Sequence, residues 1–480
     1  MSGLADLPLV EAAERVAKGE VTSSALLEAC LARLDAVNPK INARIWEDRD
    51  RARAAAAAAD AKVKSGGQLG RLHGIPLAHK DMYYQAGLPS TCGSAIRRDF
   101  VPDITCTVVE RLSAEGAFTF AGLNMAEFAQ NPTGHNRAFG DCHNPWNLPY
   151  ITGGSSSGSG AVVASGATYA SLGSDTGGSI RLPAAACGVT GIKPTQTRVS
   201  RYGVMPLSFT HDNVGPLARS ARDCARILSV IAGHDPKDPT SAPNAVPNYE
   251  AALDGDLRGL RIGVPTDALM SEADAPVRAA VEASLRVLEG RGATLVPITM
   301  PYANAVATYG AIISRVEGGA IHAQWMRDRP QDYAQHLSGR LYPGLAIPAT
   351  YYVEALSRRG PILKAFAAEV FAKVDLIASP TIPMVLPTLA ATDIDNGPPE
   401  AIGRFMAVSN NTRPFNYLGL PTISAPCGFD ANGCPISLQL AGRPFAEARL
   451  FQAVDAYQRD TNFHAIRPPV VRELVPMVTA

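Results

Sequence analysis

The spacing of apolar residues near the start of the chain is helical. Leu26, Cys30 and Leu34 follow one another at intervals of four behind a Thr/Ser start, which predicts an amphipathic helix over 22–36. A second helix is predicted over 48–64, where alanine and arginine dominate and glycines follow.

Strand and helix patterns then alternate along the chain. Short apolar runs bounded by turn residues predict strands, and longer stretches with apolar residues three or four apart predict helices. The predicted strands are 74–80, 117–121, 260–264, 294–298 and 375–379, and the predicted helices are 105–115, 275–290 and 362–373.

This alternation favours an α/β fold. We expect a single large α/β/α sandwich with one mixed, mostly parallel central sheet covered by helices on both faces. No linker, repeat or change in composition divides the 480 residues, so one domain is expected over 1–480. Within it, an N-terminal helical segment over 1–65 is expected to pack on a catalytic core over 70–230.

Charge and cysteine content exclude several classes of protein. Lys plus Arg and Asp plus Glu each number 44, so the net charge is zero and no nucleic-acid partner is expected. No run of about 20 apolar residues is present, so no membrane association is expected. The eight cysteines are scattered without a C-x-x-C pair, which is typical of reduced thiols in a cytoplasmic protein.

A glycine- and serine-rich segment, GGSSSGSG at 153–160, is the first candidate for chemistry. It lacks the Gly-Lys of a phosphate-binding loop and the glycine spacing of a dinucleotide-binding turn. It does match the G-x-S-x-G nucleophile elbow, with Ser156 as the nucleophile. A run of Ser and Gly satisfies that pattern easily, and no downstream histidine has a supporting context, so the elbow is the weaker alternative.

A second Gly-Ser turn follows at 174–181. It lies between a predicted strand and a helix-like run, which puts Ser179 at a strand-to-helix junction. Free backbone N–H groups at a helix start can hold an oxyanion, so Ser179 is a candidate nucleophile. The alternative is an ordinary N-cap serine after a glycine turn.

Several separate motifs, in order, resemble the amidase signature family. The resemblance covers most of the chain and implies an amide hydrolase with the α/β fold expected above. The motifs are HKD at 79–81, NPWN at 144–147, GGSSSGSG at 153–160, GSDTGGSIRLPAAACGVTGIKPT at 173–195, DNVGPLARSARD at 212–223, ASPTIP at 378–383 and NYLGLPTISAPCG at 416–428.

The resemblance implies a Ser–cis-Ser–Lys triad that needs no metal or cofactor. The family's nucleophile falls on Ser179, its bridging serine on Ser155 and its lysine on Lys80. The implied oxyanion donors are the backbone N–H groups of Thr176, Gly177, Gly178 and Ser179.

The residue types suit this chemistry. A serine hydroxyl needs a base, and a free lysine, with a pKa of about 10.4, is protonated at neutral pH. Burial favours the neutral amine and lowers that pKa. No charged residue occurs between Asp141 and Asp175, which predicts a buried centre where Lys80 can lose its proton. Asp175 and Arg181 flank the nucleophile and are expected to hold its loop.

The substrate pocket is predicted from position in the chain alone. The candidates are mostly apolar, so a neutral amide is expected: Tyr83, Met125, Phe128, Ala129, Gln130, His135, Ile382 and Tyr417.

The expected function is hydrolysis of a neutral aryl or alkyl carboxamide through an acyl-enzyme on Ser179, with ester or carbamate side activity. The expected partner is the small-molecule amide, and the resemblance leaves a homodimer open. The alternative is the amidase subunit of a tRNA-dependent amidotransferase complex, which family members also form.

Overall fold

The computed structural model describes residues 3–474 and confirms the mixed α/β class. Its strands are β1 Arg44–Glu47, β2 Pro76–Lys80, β3 Phe118–Leu123, β4 Ala170–Asp175, β5 Thr190–Lys193, β6 Asn213–Ala218, β7 Arg261–Pro265, β8 Thr294–Ile298, β9 Leu376–Pro380, β10 Thr422–Phe429 and β11 Pro435–Gly442.

The helices outnumber the strands. They are α1 Leu9–Ala17, α2 Ser23–Ile41, α3 Arg49–Lys64, α4 Thr107–Ala114, α5 Ser157–Ala164, α6 Arg181–Cys187, α7 Ala221–Ile231, α8 Ala268–Ser271, α9 Ala275–Gly290, α10 Ala303–Asp328, α11 Gln335–Ala346, α12 Ala349–Glu369, α13 Leu389–Thr392, α14 Ala401–Ala407, α15 Arg413–Tyr417, α16 Glu447–Asp460 and α17 Pro469–Leu474.

Local signals set the ends of the N-terminal helices. The Thr22 side chain accepts a hydrogen bond from the backbone of Ala25 and begins α2, and Asn42 ends it in a left-handed conformation. The predicted helix over 362–373 coincides only with the last part of α12. That helix begins at Ala349 and continues through Pro361. A proline normally interrupts a helix, so the sequence pattern predicted too short an element there.

The large sheet has eight strands in the order β4-β6-β5-β10-β11-β9-β7-β8. The expectation of a mostly parallel sheet is wrong. Among the described strands, only β7 with β8 and β7 with β9 pair in parallel within this sheet. A tight turn closed by Asp430 and Cys434 joins β10 to β11 and makes that pair antiparallel, and antiparallel neighbours extend from β4 to β9.

A second, smaller sheet holds the strand that ends at Lys80. Its order is β1-β3-β2, with β2 parallel to β3 and β1 antiparallel to β3. One sheet was expected from the sequence, and the structure has two. β2 also contacts β4 of the large sheet, so it lies beside the strand that ends at Asp175.

Helices cover both faces of the large sheet. One group, α5 and α6, contacts β4, β5, β10 and β11, and a second group, α7, α9 and α16, contacts β5, β6, β10 and β11. Every residue of β11 is buried, as two covered faces require. The N-terminal helices contact this body through α7 and β2, and the division into a segment over 1–65 and a core over 70–230 stays a prediction. No helix within 3–474 combines the length and apolar character needed to cross a bilayer.

Candidate active site

Lys80, the last residue of β2, lies between two serines. Its Nζ donates hydrogen bonds to Oγ of Ser155 and to Oγ of Ser174, each at 2.7 Å. All three side chains are buried, and Lys80 is only 1% exposed. The contact joins the small sheet, the loop before α5 and strand β4.

Burial controls the charge of this lysine. It lowers the pKa of Lys80 to about 7, although the charges of Asp212 and Asp175 act in the opposite direction. A substantial fraction of the amine is therefore neutral near pH 7 and can accept a proton.

The loop before α5 presents Ser155 to the lysine and turns Ser156 away. The Gly154–Ser155 peptide bond is cis, and the Ser155 carbonyl accepts a hydrogen bond from the backbone N–H of Ala126 at 3.0 Å. Ser156 Oγ instead donates to the carbonyl of Ser174 at 3.4 Å, and its side chain is fully buried. This geometry does not support Ser156 as an elbow nucleophile.

Ser179 lies in the turn between β4 and α6. It is 8% exposed, and its hydroxyl makes no hydrogen bond with any residue in the described part of the chain. Its carbonyl accepts a hydrogen bond from the Ser156 backbone N–H at 3.3 Å, which holds the turn against the Ser155 loop. The structure thus brings the three predicted triad residues into adjoining segments and leaves the Ser179 hydroxyl open to a ligand.

The predicted oxyanion donors differ in availability. The N–H of Gly178 donates to Asp175 Oδ1 at 2.8 Å, so Gly178 is not a free donor in this structure, contrary to the expectation. The N–H groups of Thr176, Gly177 and Ser179 bind no acceptor among residues 3–474. These three remain the candidates for the oxyanion hole.

A fully buried ion pair supports the turn. Arg181 Nε lies 2.9 Å from Asp175 Oδ2, and both side chains are 0% exposed. Arg181 also donates to Asn416 Oδ1 at 2.6 Å and to Gln439 Oε1 at 2.8 Å. Burial raises the pKa of Asp175, but Arg181 outweighs it and holds that pKa below its ordinary value. The pair therefore has a structural role, as its position beside Ser179 suggested.

Several polar residues of the site were missed from the sequence. Ser174, Asn416 and Gln439 contact the lysine or the ion pair, and Thr412 Oγ1 donates to the Gly177 carbonyl at 2.6 Å. A polar side chain inside a continuously buried strand is the signal that would have found Ser174 and Gln439, because such a group requires a partner.

Three of the predicted pocket side chains form hydrogen bonds within the protein. Tyr83 donates through its hydroxyl to the Gly173 carbonyl at 2.7 Å, and Tyr417 donates to the Ala355 carbonyl at 2.9 Å. His135 Nδ1 lies 2.9 Å from a carboxylate oxygen of Asp141. Each of these side chains therefore has a hydrogen-bond partner within the protein.

The remaining pocket candidates are buried among other side chains. Phe128 packs against His322, with ring centroids 4.5 Å apart. Met125, Ala129 and Ile382 are also buried. Of the whole predicted set, Gln130 has a buried amide nitrogen without a partner in the described residues.

A cavity of about 330 Å³ is lined in part by Ser174, which is also a hydrogen-bond partner of Lys80. Asp212 also lines it, and its carboxylate accepts a hydrogen bond from Thr176 Oγ1 at 2.5 Å. Burial raises the pKa of Asp212 above its ordinary value. Among the described residues no group of three or more His, Cys, Asp or Glu side chains is placed to hold a metal ion.

Comparisons with known proteins agree on one family. The sequence profile of the family described as Amidase matches residues 25–451. A glutamyl-tRNA(Gln) amidotransferase subunit of Chloroflexus aggregans is 40% identical, with 98% of this chain and 100% of that protein covered. A solved structure of the corresponding Thermotoga maritima protein has a TM-score of 0.80 at 27% identity, covering 99% of both chains. A second solved structure belongs to a vestigial protein complex that reveals the evolutionary origins of an s-triazine catabolic enzyme. It has a TM-score of 0.88 at 34% identity and covers 95% of this chain and 98% of that chain.

These relatives overturn two expectations from the sequence. Hydrolysis of a neutral aryl or alkyl carboxamide as the main activity is wrong, because full-length relatives at 40% identity belong to glutamyl-tRNA(Gln) amidotransferases. The exclusion of a nucleic-acid partner is wrong for the same reason. A net charge of zero describes the whole chain and does not exclude a local surface of one charge.

Proposed function

The chain belongs to the amidase signature family, and from this premise we propose that it is the amide-hydrolysing component of an assembly that amidates glutamyl-tRNA(Gln). It is an enzyme of the class that acts on carbon–nitrogen bonds other than peptide bonds. In this role it releases ammonia from a primary carboxamide, and the assembly passes the ammonia to the activated side-chain carboxyl group of the glutamyl residue, whose ester bond to the tRNA stays intact. Such a role places the protein in the cytoplasm.

The proposed reaction begins with proton transfer along the two serines. Neutral Lys80 takes the proton of Ser155, Ser155 takes that of Ser179, and Ser179 Oγ attacks the amide carbon. The N–H groups of Thr176, Gly177 and Ser179 stabilise the oxyanion.

Collapse of the tetrahedral intermediate breaks the C–N bond. The proton held by Lys80 returns through Ser155 to the leaving nitrogen, which departs as ammonia. Water then attacks the acyl-enzyme by the same proton route and releases the carboxylic acid, which restores Ser179.

The observation that carries this proposal is similarity over the full length. An identity of 40% covering 98% of this chain and 100% of that relative includes the catalytic segments and the helical region between β8 and β9. The contact of Lys80 with Ser155 supplies the base and the bridging serine that amide hydrolysis needs.

Reconstitution tests the proposal. The chain is combined with the other subunits of a bacterial glutamyl-tRNA(Gln) amidotransferase, and formation of glutaminyl-tRNA(Gln) is followed with glutamine as the amide donor. We expect conversion with the wild-type chain and none with Ser179→Ala, which removes only the nucleophilic oxygen. The Ser156→Ala variant is the matched control, because Ser156 faces the backbone.

A fluorophosphonate label identifies the nucleophile in the same preparations. We expect the label on Ser179 by peptide mapping. Hydrolysis of glutamine without any amidation of the tRNA would refute the amidotransferase role. A label on Ser156 would refute the mechanism.

A further inference from the structure

Asp212 lies directly before β6, opposite the turn between β4 and α6. Strands β4 and β6 pair in antiparallel with Asp175 opposite Asn213, so the neighbouring residues Thr176 and Asp212 face each other. Thr176 Oγ1 donates a hydrogen bond to Asp212 Oδ1 at 2.5 Å, and both side chains are buried. The register of the sheet therefore attaches a carboxylate to the turn that carries the nucleophile.

The second carboxylate oxygen of Asp212 holds the loop before β6. Asp212 Oδ2 accepts hydrogen bonds from the backbone N–H groups of Leu207 at 2.8 Å and Ser208 at 3.0 Å. Glu317 of α10 binds the same loop, because its carboxylate accepts from Ser208 Oγ and, at 3.0 Å, from the Thr210 N–H. The loop is thus held by two carboxylates, and the position of Asp212 is set.

The charge of Asp212 has no ion-pair partner within residues 3–474. Burial raises the pKa of its carboxyl, while the hydrogen bonds from Thr176 and the loop and the charge of Arg201 act in the opposite direction. Arg201 has its own partner, since its Nε lies 3.8 Å from Asp238 Oδ2. Besides the catalytic lysine, Tyr83 faces Asp212, and burial keeps Tyr83 neutral by raising its pKa well above the ordinary value. Every hydrogen bond to Asp212 is donated to it, which is the environment of an ionised carboxylate.

Lys80 becomes positively charged during the proposed reaction, when it accepts the proton of Ser155. Among the described residues its Nζ hydrogen-bonds only the hydroxyls of Ser155 and Ser174, and neither hydroxyl is charged. A buried ammonium without an anion is unfavourable. Stabilisation of this charge therefore depends on carboxylates beyond hydrogen-bond distance, and Asp212 lines the same cavity as Ser174.

Three titratable groups face this lysine: Asp212, Asp175 and Cys92. Burial raises the pKa of the Cys92 thiol to about 12, so the thiol is neutral. The charge of Asp175 is offset by Arg181, which lies 2.9 Å away. Asp212 has the largest effect of the three in favour of the ammonium form.

We propose that Asp212 is a positioning residue for amide hydrolysis, an inference that rests on the reaction proposed above. Through one oxygen it orients Thr176 and so holds the Thr176 N–H in place as an oxyanion donor. Through its negative charge it stabilises the ammonium of Lys80 that forms when Ser179 loses its proton.

The pH dependence of fluorophosphonate labelling at Ser179, measured in the full chain, tests the role of the charge. Asp212→Asn keeps the size of the side chain and removes the charge, so the pKa of Lys80 falls further. We expect the midpoint to move about one pH unit below that of the wild type and the rate at high pH to fall about tenfold. Asp212→Ser, a second neutral variant, should move the midpoint in the same direction. Asp212→Glu keeps the charge and should not move it.

Asp223→Asn is the matched control. Asp223 is also a buried carboxylate that accepts a backbone hydrogen bond, from Val10 at 3.0 Å, and burial raises its pKa as well. No hydrogen bond joins it to the triad in the described part of the chain, so its variant should keep the midpoint and the rate of the wild type. Melting temperatures show whether each variant is folded.

The orienting role is tested by Thr176→Val, which replaces the hydroxyl with a methyl group and leaves the N–H in place. We expect the labelling rate to fall about tenfold with an unchanged midpoint, because a misplaced oxyanion donor stabilises the transition state less. Thr176→Ser keeps the hydroxyl and should recover most of this loss.

Other results would overturn the proposal. They are an unchanged or raised midpoint in folded Asp212→Asn, the same downward shift in Asp223→Asn, or the wild-type labelling rate in Thr176→Val. A protein that shows the expected shift but never amidates tRNA would refute the amidotransferase role and leave the role of Asp212 standing. Amidation of tRNA together with an unmoved midpoint would do the reverse.

Discussion

The pH dependence of acylation should follow the buried lysine. A pKa lowered from 10.5 to about 7 corresponds to about 5 kcal/mol against the protonated amine. An unperturbed lysine would be neutral in only about one molecule in 3,000 at pH 7, whereas Lys80 is neutral in about half. Between pH 6 and pH 8 the neutral fraction rises from about one tenth to about nine tenths.

We therefore expect the rate of fluorophosphonate labelling at Ser179 to rise about tenfold from pH 6 to pH 8, with a midpoint near 7. In Lys80→Met, which keeps an apolar side chain of similar length, labelling should fall by at least about 100-fold and lose this dependence. The assay is a stopped time course at fixed probe concentration, with labelled peptide counted at each pH.

Lys193 provides the matched control. Burial also lowers the pKa of Lys193 to about 7, but its Nζ donates to the Pro194 carbonyl and contacts neither triad serine. Lys193→Met should keep the midpoint near 7. The reasoning is refuted if the midpoint survives in Lys80→Met, or if it is lost in Lys193→Met while the fold is intact.

Three further predictions concern the support of the site. Asp175→Asn leaves the buried charge of Arg181 without its partner and should reduce the free energy of unfolding by about 3–5 kcal/mol in urea titration; a loss below about 1 kcal/mol would contradict this. Ser174→Ala removes one of two acceptors of the lysine amine and should slow labelling of Ser179 by about tenfold with a changed midpoint, whereas a purely structural role would leave the midpoint in place. Gly178→Ala introduces a Cβ at a φ of +132° against a threonine side chain and should lower Tm clearly; Gly290→Ala, with open space around it, should not, and equal effects would contradict the steric argument.

Secondary structure near the chain start was predictable because its causes are local. A cap at Thr22 and apolar residues four apart are enough to begin and orient α2. The length of α12 was not predictable in this way, because packing holds the helix together through Pro361 despite the local preference.

Sheet direction and the pocket required the tertiary structure. Alternating helices and strands predicted parallel pairing, but the hairpin of β10 and β11 and its antiparallel neighbours decide the direction of most of the large sheet. The pocket candidates were chosen by position in the chain, and Tyr83 and Tyr417 instead hydrogen-bond the backbone.

By itself the sequence determined the fold class through its alternation of helix and strand patterns. It also determined the family and the candidate residues Lys80, Ser155 and Ser179, because these lie in short motifs that follow one another in order along the chain. Only the tertiary structure showed that Ser174, 94 residues from Lys80 in the chain, binds the same amine. It alone showed that Arg181 hydrogen-bonds Asn416 and Gln439, which lie 235 and 258 residues further along the chain. The physical reason is that hydrogen bonds and charge repulsion depend on distance in space, which spacing along the chain does not specify.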